Sequence, residues 1–118
     1  MQLNHLDLQV PNVPETAAFF ERHFEFAIRG NRSSAAIIIL AGAGGFTLVL
    51  QRLKPGETYP DGFHCGFIVD DEERVRAEHA RLRADGVKCS EIIVNQRGVI
   101  FYLRAPGDVT IEVSCRPR

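Results

Sequence analysis

The chain has little that would tie it to a charged polymer, a membrane or an oxidising compartment. Its 118 residues carry a formal net charge of -1, which gives no long-range field to gather nucleic acid or an anionic lipid surface. No apolar run approaches the length of a membrane span, and "SAAIIILAGAGGF" is short and broken by glycines. The sequence does not open on a basic segment followed by a long apolar stretch, so no signal peptide is expected. Its three cysteines, Cys65, Cys89 and Cys115, cannot all pair with one another and show no C-x-x-C spacing. They read as reduced thiols of a cytoplasmic protein, two of them packed as small hydrophobes.

What is present is ordinary for a globular chain: 45% hydrophobic and 25% charged residues, and length enough for one domain or two small modules sharing a core. The opening run "NHLDLQV" alternates, with Leu6, Leu8 and Val10 on one face of a strand and His5, Asp7 and Gln9 on the other. "PNVPETAAFFERHF" then reads as a turn entering a helix, with Pro14 and Glu15 in its first turn and Ala17, Phe20 and Phe24 on one face. Three β-prone runs follow, "FEFAIRG", "SAAIIIL" and "GFTLVLQRL", separated by "NRS" and "AGAGG". "KPGETYPDG" has no periodicity and reads as a linker.

Beyond the linker the pattern restarts. "FHCGFIV" is a strand, and "DDEERVRAEHARLRADG" is a helix that starts on acidic residues and stops at Gly86. "VKCSEIIV", "GVIFYLRA" and "VTIEVSC" are further strands. Both halves therefore read strand, helix, strand, strand, strand, and the two lead histidines lie 64 − 5 = 59 residues apart. The expectation is an α+β fold of two βαβββ modules forming a curved, cup-like mixed sheet with helices outside. Module one spans 1–53, the linker 54–61 and module two 62–118.

Alternation along the other strands sets Thr47, Val49 and Gln51 opposite Phe46, Leu48 and Leu50. It sets His64, Gly66 and Ile68 opposite Phe63, Cys65 and Phe67. Ile100, Tyr102 and Arg104 stand opposite Val99, Phe101 and Leu103, and Thr110, Glu112 and Ser114 opposite Val109, Ile111 and Val113. The apolar sets must meet the helices, which leaves a second face that is polar yet sparing with charge. A water-facing antiparallel sheet would also be polar. However, this face offers His5, His64 and Glu112 from three strands, a donor set for zinc, nickel, manganese or ferrous iron. His23 and His79 sit among charged helix residues and are expected to face solvent.

The element order, the duplicated module, and "NHLDLQV", "FHCGFIV" and "FYLRAPGDVTIEV" resemble the vicinal oxygen chelate superfamily. That group includes glyoxalase I, fosfomycin-resistance thiol transferases, methylmalonyl-CoA epimerase, extradiol dioxygenases and bleomycin-binding proteins. The resemblance implies a glyoxalase-like single domain over 1–118 and one divalent metal per site, held by His5, His64 and Glu112. A fourth ligand would come from "GFTLVLQRL". Gln51 is the possible donor there, whereas a match at Val49 would leave three protein ligands. The resemblance also implies a homodimer with intersubunit sites, in which His5 reaches across to His64 and Glu112 of the other copy.

The activity so implied is that of a lyase or isomerase on a small molecule that chelates the metal through neighbouring oxygens. Glu112 would be the proton-transferring base and Tyr102 a second catalytic group, with Asp7, Thr47, Val49, Arg104 and Ser114 contacting substrate. Alternatives within the group are a thiol transferase with a thiol co-substrate, an extradiol dioxygenase, and a metal-free drug-binding dimer. Tyr102 favours the transferase, whereas "VNQRGVIF" lacks the serine-rich loop of those enzymes, and the family turn is altered to "APGD".

Overall fold

A computed structural model of the chain describes residues 1–117, and Arg118, the last residue of the expected second module, lies outside the described residues. The chain divides into two compact units between Tyr59 and Pro60. The first runs β1 (His5–Val10), α1 (Val13–Phe24), β2 (Ala27–Arg29), β3 (Ile37–Ala41), a short 3-10 turn (Ala43–Gly45) and β4 (Thr47–Arg52). Its sheet has the order β1-β4-β3-β2, with β1 parallel to β4 and the other pairs antiparallel. The second runs β5 (His64–Ile68), α2 (Glu72–Ala84), β6 (Ile93–Asn95), β7 (Gly98–Ala105) and β8 (Val109–Cys115). Its order, β5-β8-β7-β6, repeats the same plan, again with one parallel pair, β5 with β8. The two βαβββ modules read from the sequence are present.

Local chemistry sets the helix ends. The Asn12 side chain accepts from the Glu15 backbone N–H at 3.0 Å, with Pro14 in the first turn, and Asp71 accepts from Arg74 N–H at 2.8 Å. Helix α1 stops where Glu25 turns left-handed at φ 59°, and α2 is followed by Gly86 at φ 84°. Each sheet then buries one face against its helix. Leu8, Val10, Ile38, Leu40, Leu48 and Leu50 form the first core with Ala17 and Phe20, and Phe101, Leu103, Ile111 and Val113 form the second with Val75 and Leu82.

Two histidines depart from expectation. His23 and His79 do not face solvent; they are 7% and 9% exposed. His23 continues the buried stripe Val13, Thr16, Ala17, Phe20 at helical spacing and packs edge-on against Phe19 at 4.8 Å. His79 lies between Val75 and Leu82 on the buried stripe of α2, edge-on to Phe101 at 4.8 Å. Its Nε2 donates to the Ser90 carbonyl at 2.8 Å. Charged sequence neighbours say nothing about which face of a helix a residue takes.

The run "VKCSEIIV" is also less regular than a strand. Only Ile93–Asn95 joins the ladder, with a single bridge from Cys89 to Leu103. The Ser90 hydroxyl replaces a ladder partner: it accepts from Tyr102 N–H at 2.9 Å while Ser90 N–H donates to the Tyr102 carbonyl at 2.8 Å. The connector before β5 is similarly anchored. The Tyr59 hydroxyl accepts from the backbone N–H of Gln9 at 2.8 Å and donates to its carbonyl at 3.1 Å, closing part of the open edge of β1.

Candidate functional site

Strand register places the polar residues in rows across each sheet. On the second module, His64 pairs with Thr110 and Thr110 with Arg104; Gly66 pairs with Glu112 and Glu112 with Tyr102; Ile68 pairs with Ser114 and Ser114 with Ile100. Side chains of paired residues share a face, so His64, Glu112, Tyr102 and Ser114 stand together. Gly66 is the gap that admits Glu112. A Cβ at position 66 would collide with the Glu112 carbonyl and lie 3.0 Å from the Glu112 Cβ.

The pair His64–Glu112 has the geometry of two donors aimed at one place. The His64 Nδ1 lies 2.9 Å from the Gly62 carbonyl, which can only accept, so the proton of the neutral ring sits on Nδ1. The lone pair is thereby left on Nε2, which is 3.7 Å from Glu112 Oε1. That separation is too long for a hydrogen bond, yet it is reached by two ligands of one ion with bonds of about 2.0–2.2 Å. The Ser114 hydroxyl donates to the other carboxylate oxygen, Oε2, at 2.9 Å. An imidazole fixed by a carbonyl and a carboxylate fixed by a hydroxyl is the support that a divalent ion's ligands require, so the donor set fits such an ion. Ser114, expected among the substrate-contacting residues, is 3% exposed and its hydroxyl is directed at Glu112.

Tyr102 is half-buried and stands edge-on to His64, with ring centroids 6.3 Å apart. Arg104 is exposed at the end of the His64–Thr110 row and lies 3.8 Å from Asp108.

On the first module, His5 pairs with Thr47 and Thr47 with Ala41; Asp7 pairs with Val49 and Val49 with Ile39; Gln9 pairs with Gln51 and Gln51 with Ile37. His5 is exposed at the start of β1, two residues from Asp7 on the same face. Asp7 is half-buried and accepts from Gln9 Nε2 and from Gln51 Nε2, each at 2.6 Å. Gln51 therefore directs its amide nitrogen to Asp7 and its carbonyl oxygen elsewhere. Val49 is 8% exposed and has no donor atom. Among the described residues no three His, Cys, Asp or Glu side chains gather closely enough to hold a metal ion.

Three features of the site escape strand alternation. Ile37 and Ile39 are 42% and 46% exposed, so the face is more apolar than expected. The run "AIIIL" looks like a strand buried on both sides, but the same alternation applied to it separates Ile37 and Ile39 from buried Ile38 and Leu40. Gln9 is the second arm of the Asp7 cluster, and Tyr59 has no sequence signal at all. Neither Cys65 nor Cys89 has the lowered pKa of an activated nucleophile. Burial pushes the Cys65 thiol above its ordinary pKa, and burial does the same for Cys89 against the opposing pull of Arg83.

Comparison with known proteins agrees with this architecture. The profile of the Glyoxalase/Bleomycin resistance protein/Dioxygenase superfamily matches residues 2–113. A structure described as a possible glyoxalase from Bacillus cereus is 34% identical, with a TM-score of 0.83 over 98% of this chain and 99% of that one. Lactoylglutathione lyase from Agrobacterium tumefaciens has the same fold at 17% identity, with a TM-score of 0.77 over 97% of this chain and 92% of that one. So does the fosfomycin resistance protein FosX from Listeria monocytogenes, at 19% identity and a TM-score of 0.78 over 99% of this chain and 94% of that one. A variant of FosX, complexed with Mn(II) and 1S,2S-dihydroxypropylphosphonic acid, aligns at 18% identity and a TM-score of 0.77, over 98% of this chain and 92% of that one. No curated protein matches the sequence significantly. With the profile covering nearly the whole length and the fold agreeing throughout, the chain belongs to the Glyoxalase/Bleomycin resistance protein/Dioxygenase superfamily.

Proposed function

We propose that this chain is a cytoplasmic, divalent-metal-dependent lyase or isomerase acting on a small molecule that presents neighbouring oxygens. The observation that carries the reading is the His64–Glu112 pair, with Nε2 freed by the Gly62 carbonyl and Oε1 3.7 Å away. His5 completes the set by resemblance, in a homodimer where the first module of one protomer faces the second of its partner. The chain works as one domain, with modules at 1–53 and 62–118 and the linker 54–61 between. Gln51 is the possible fourth ligand by resemblance, through its amide oxygen, whereas a match at Val49 leaves three protein ligands and Gln51 free for the substrate wall. Thr47, Val49 and Arg104 belong to the substrate wall, as does Asp7. The Mn(II) complex of FosX is a precedent for a divalent ion on this fold.

An ion at that place supplies charge stabilisation for adjacent oxygens of the substrate. The protein's own groups do the rest. Ser114 holds Oε2 of Glu112, so Oε1 would serve as donor to the ion and, when released from it, as the oxygen that takes a proton from a carbon and returns it to the next one. Gly62 keeps the His64 ring in one tautomer and orientation. Tyr102, edge-on to His64, would supply a phenolic hydroxyl on the same face, which in an epoxide opening gives its proton to the oxygen released from the ring carbon. That placement also favours a second reading, a thiol transferase that opens an epoxide.

Elemental analysis of protein purified without added metal, beside His5→Ala, His64→Ala and Glu112→Ala, tests the ligand set. Near-stoichiometric metal in the parent and its loss in each variant are expected. Full occupancy in any one variant removes that residue from the set. Turnover of the methylglyoxal–glutathione adduct separates the lyase from the transferase.

A further inference from the structure

We propose that Asp7, Gln9 and Gln51 form a binding site for an alkyl-ammonium or alkyl-guanidinium group. As a part of the substrate wall this inference rests on the function proposed above, although the cluster's chemistry stands apart from any metal. Asp7 is ringed by neutral partners. Its two oxygens take the amide nitrogens of Gln9 and Gln51 at 2.6 Å each, and among the described residues it has no ion pair. Some acidic residues have cations, as Glu21 with Arg32 at 2.7 Å and Glu72 with Arg76 at 2.8 Å, and others, as exposed Asp71, take a backbone N–H instead. A half-buried carboxylate held only by neutral donors keeps a full negative charge with which a cation can pair.

The orientation of the amides strengthens that pairing. A carboxylate only accepts, so each glutamine must turn its NH2 toward Asp7 and its carbonyl oxygen away. The cluster thus presents two carbonyl oxygens and the remaining lone pairs of the carboxylate, an acceptor array carrying one negative charge. Its framework is rigid, since Gln9 and Gln51 are opposite one another in the parallel ladder and Tyr59 grips the Gln9 backbone from the other side. Ile37 stands beside Gln51, and Ile39 beside Val49, both about half exposed on the same face. An acceptor array next to an aliphatic shelf matches a cation on a short alkyl chain rather than a hydrated metal ion.

His5 lies two residues along the same strand face, roughly 6–7 Å away at strand rise. The substrate class that follows is a molecule with vicinal oxygens at one end and a protonated amine or guanidinium about that far from them.

The test uses metal-free, 15N-labelled full-length protein and follows the side-chain amide resonances of Gln9 and Gln51. The probe is n-butylammonium, with 1-butanol and butyrate as the neutral and anionic counterparts at equal ionic strength. Saturable shifts of both amide pairs are expected with the cation alone, and Asp7→Asn is expected to weaken it about tenfold or more. Should Asp7→Asn fail to fold, Gln51→Leu removes one acceptor and is expected to weaken the cation several-fold. Equal binding of 1-butanol, or unchanged affinity in the variant, overturns the inference. Metal content of the protein as purified, measured before the metal is stripped, separates the two proposals. Metal present with no cation response sinks the clamp alone, whereas a cation response without metal leaves the clamp standing and removes the metal chemistry.

Discussion

Val49 and Glu112 are counterparts in the two modules. Asp7 pairs with Val49 two residues after His5 pairs with Thr47, and Gly66 pairs with Glu112 two residues after His64 pairs with Thr110. The position that carries a carboxylate in module two therefore carries an isopropyl group in module one, and Gln51 is the counterpart of Ser114, not of Glu112. On the proposed ligand set, Val49→Glu adds an anionic donor. Metal affinity is expected to rise about tenfold or more, because ligand charge is a principal determinant of affinity for divalent ions. Without metal the same change sets an unpaired carboxylate where Val49 is 8% exposed, and is expected to cost about 1–3 kcal/mol. Competition titration with a chelator and thermal melts with and without metal read both effects.

His79 ties α2 to Ser90, which in turn holds the backbone of Tyr102. His79→Phe keeps an aromatic edge toward Phe101 but leaves the Ser90 carbonyl without its donor. A loss of about 1–3 kcal/mol is expected, read as a lower urea midpoint at an unchanged slope. A midpoint equal to the parent's would mean that water takes over the bond without cost.

The duplication and the same-face pairs are legible because strand alternation is a strict local rule. It placed Leu8 and Val10 in one core and Ile111 and Val113 in the other, and it put His64 and Glu112 on one face. It could not say that Asp7 and Gln51 are bonded, since that depends on a parallel pairing between residues 44 positions apart. Nor could it see His79 on the core side of α2, because "EERVRAEHARLRA" has charged residues around most of its circumference and only a narrow buried stripe of Val75, His79 and Leu82. The Tyr59 bond to Gln9 is a contact of the connector with a strand edge, which no periodicity encodes.

The cysteines give a pH prediction. Burial raises the Cys65 thiol above its unfolded value of about 8.5, so the folded chain holds its proton where the unfolded chain has released it. Stability from this source is complete below that pH and declines as pH rises toward the folded value. Denaturation midpoints measured from pH 7.5 to 10 are expected to fall less steeply for Cys65→Ala than for the parent (pH range roughly one to two units around the free thiol). Iodoacetamide should modify Cys65 more slowly in the folded protein than in urea at the same pH.

Gly66 couples the fold to the site most directly. It faces Glu112 across the parallel β5–β8 pair, where a methyl group would meet the Glu112 carbonyl and, at 3.0 Å, the Glu112 Cβ. Neither atom is the free end of a flexible side chain, so Gly66→Ala must push β5 and β8 apart at the proposed ligand row. Overpacking of this kind costs about 1–3 kcal/mol. The distinctive expectation is a joint effect, with lower thermal stability and metal affinity weakened about tenfold, because the displaced Glu112 no longer sits 3.7 Å from His64. A destabilised Gly66→Ala protein that still binds metal as the parent does would show that Glu112 is not held by this contact. The comparison needs only a melt and a chelator titration on the same sample.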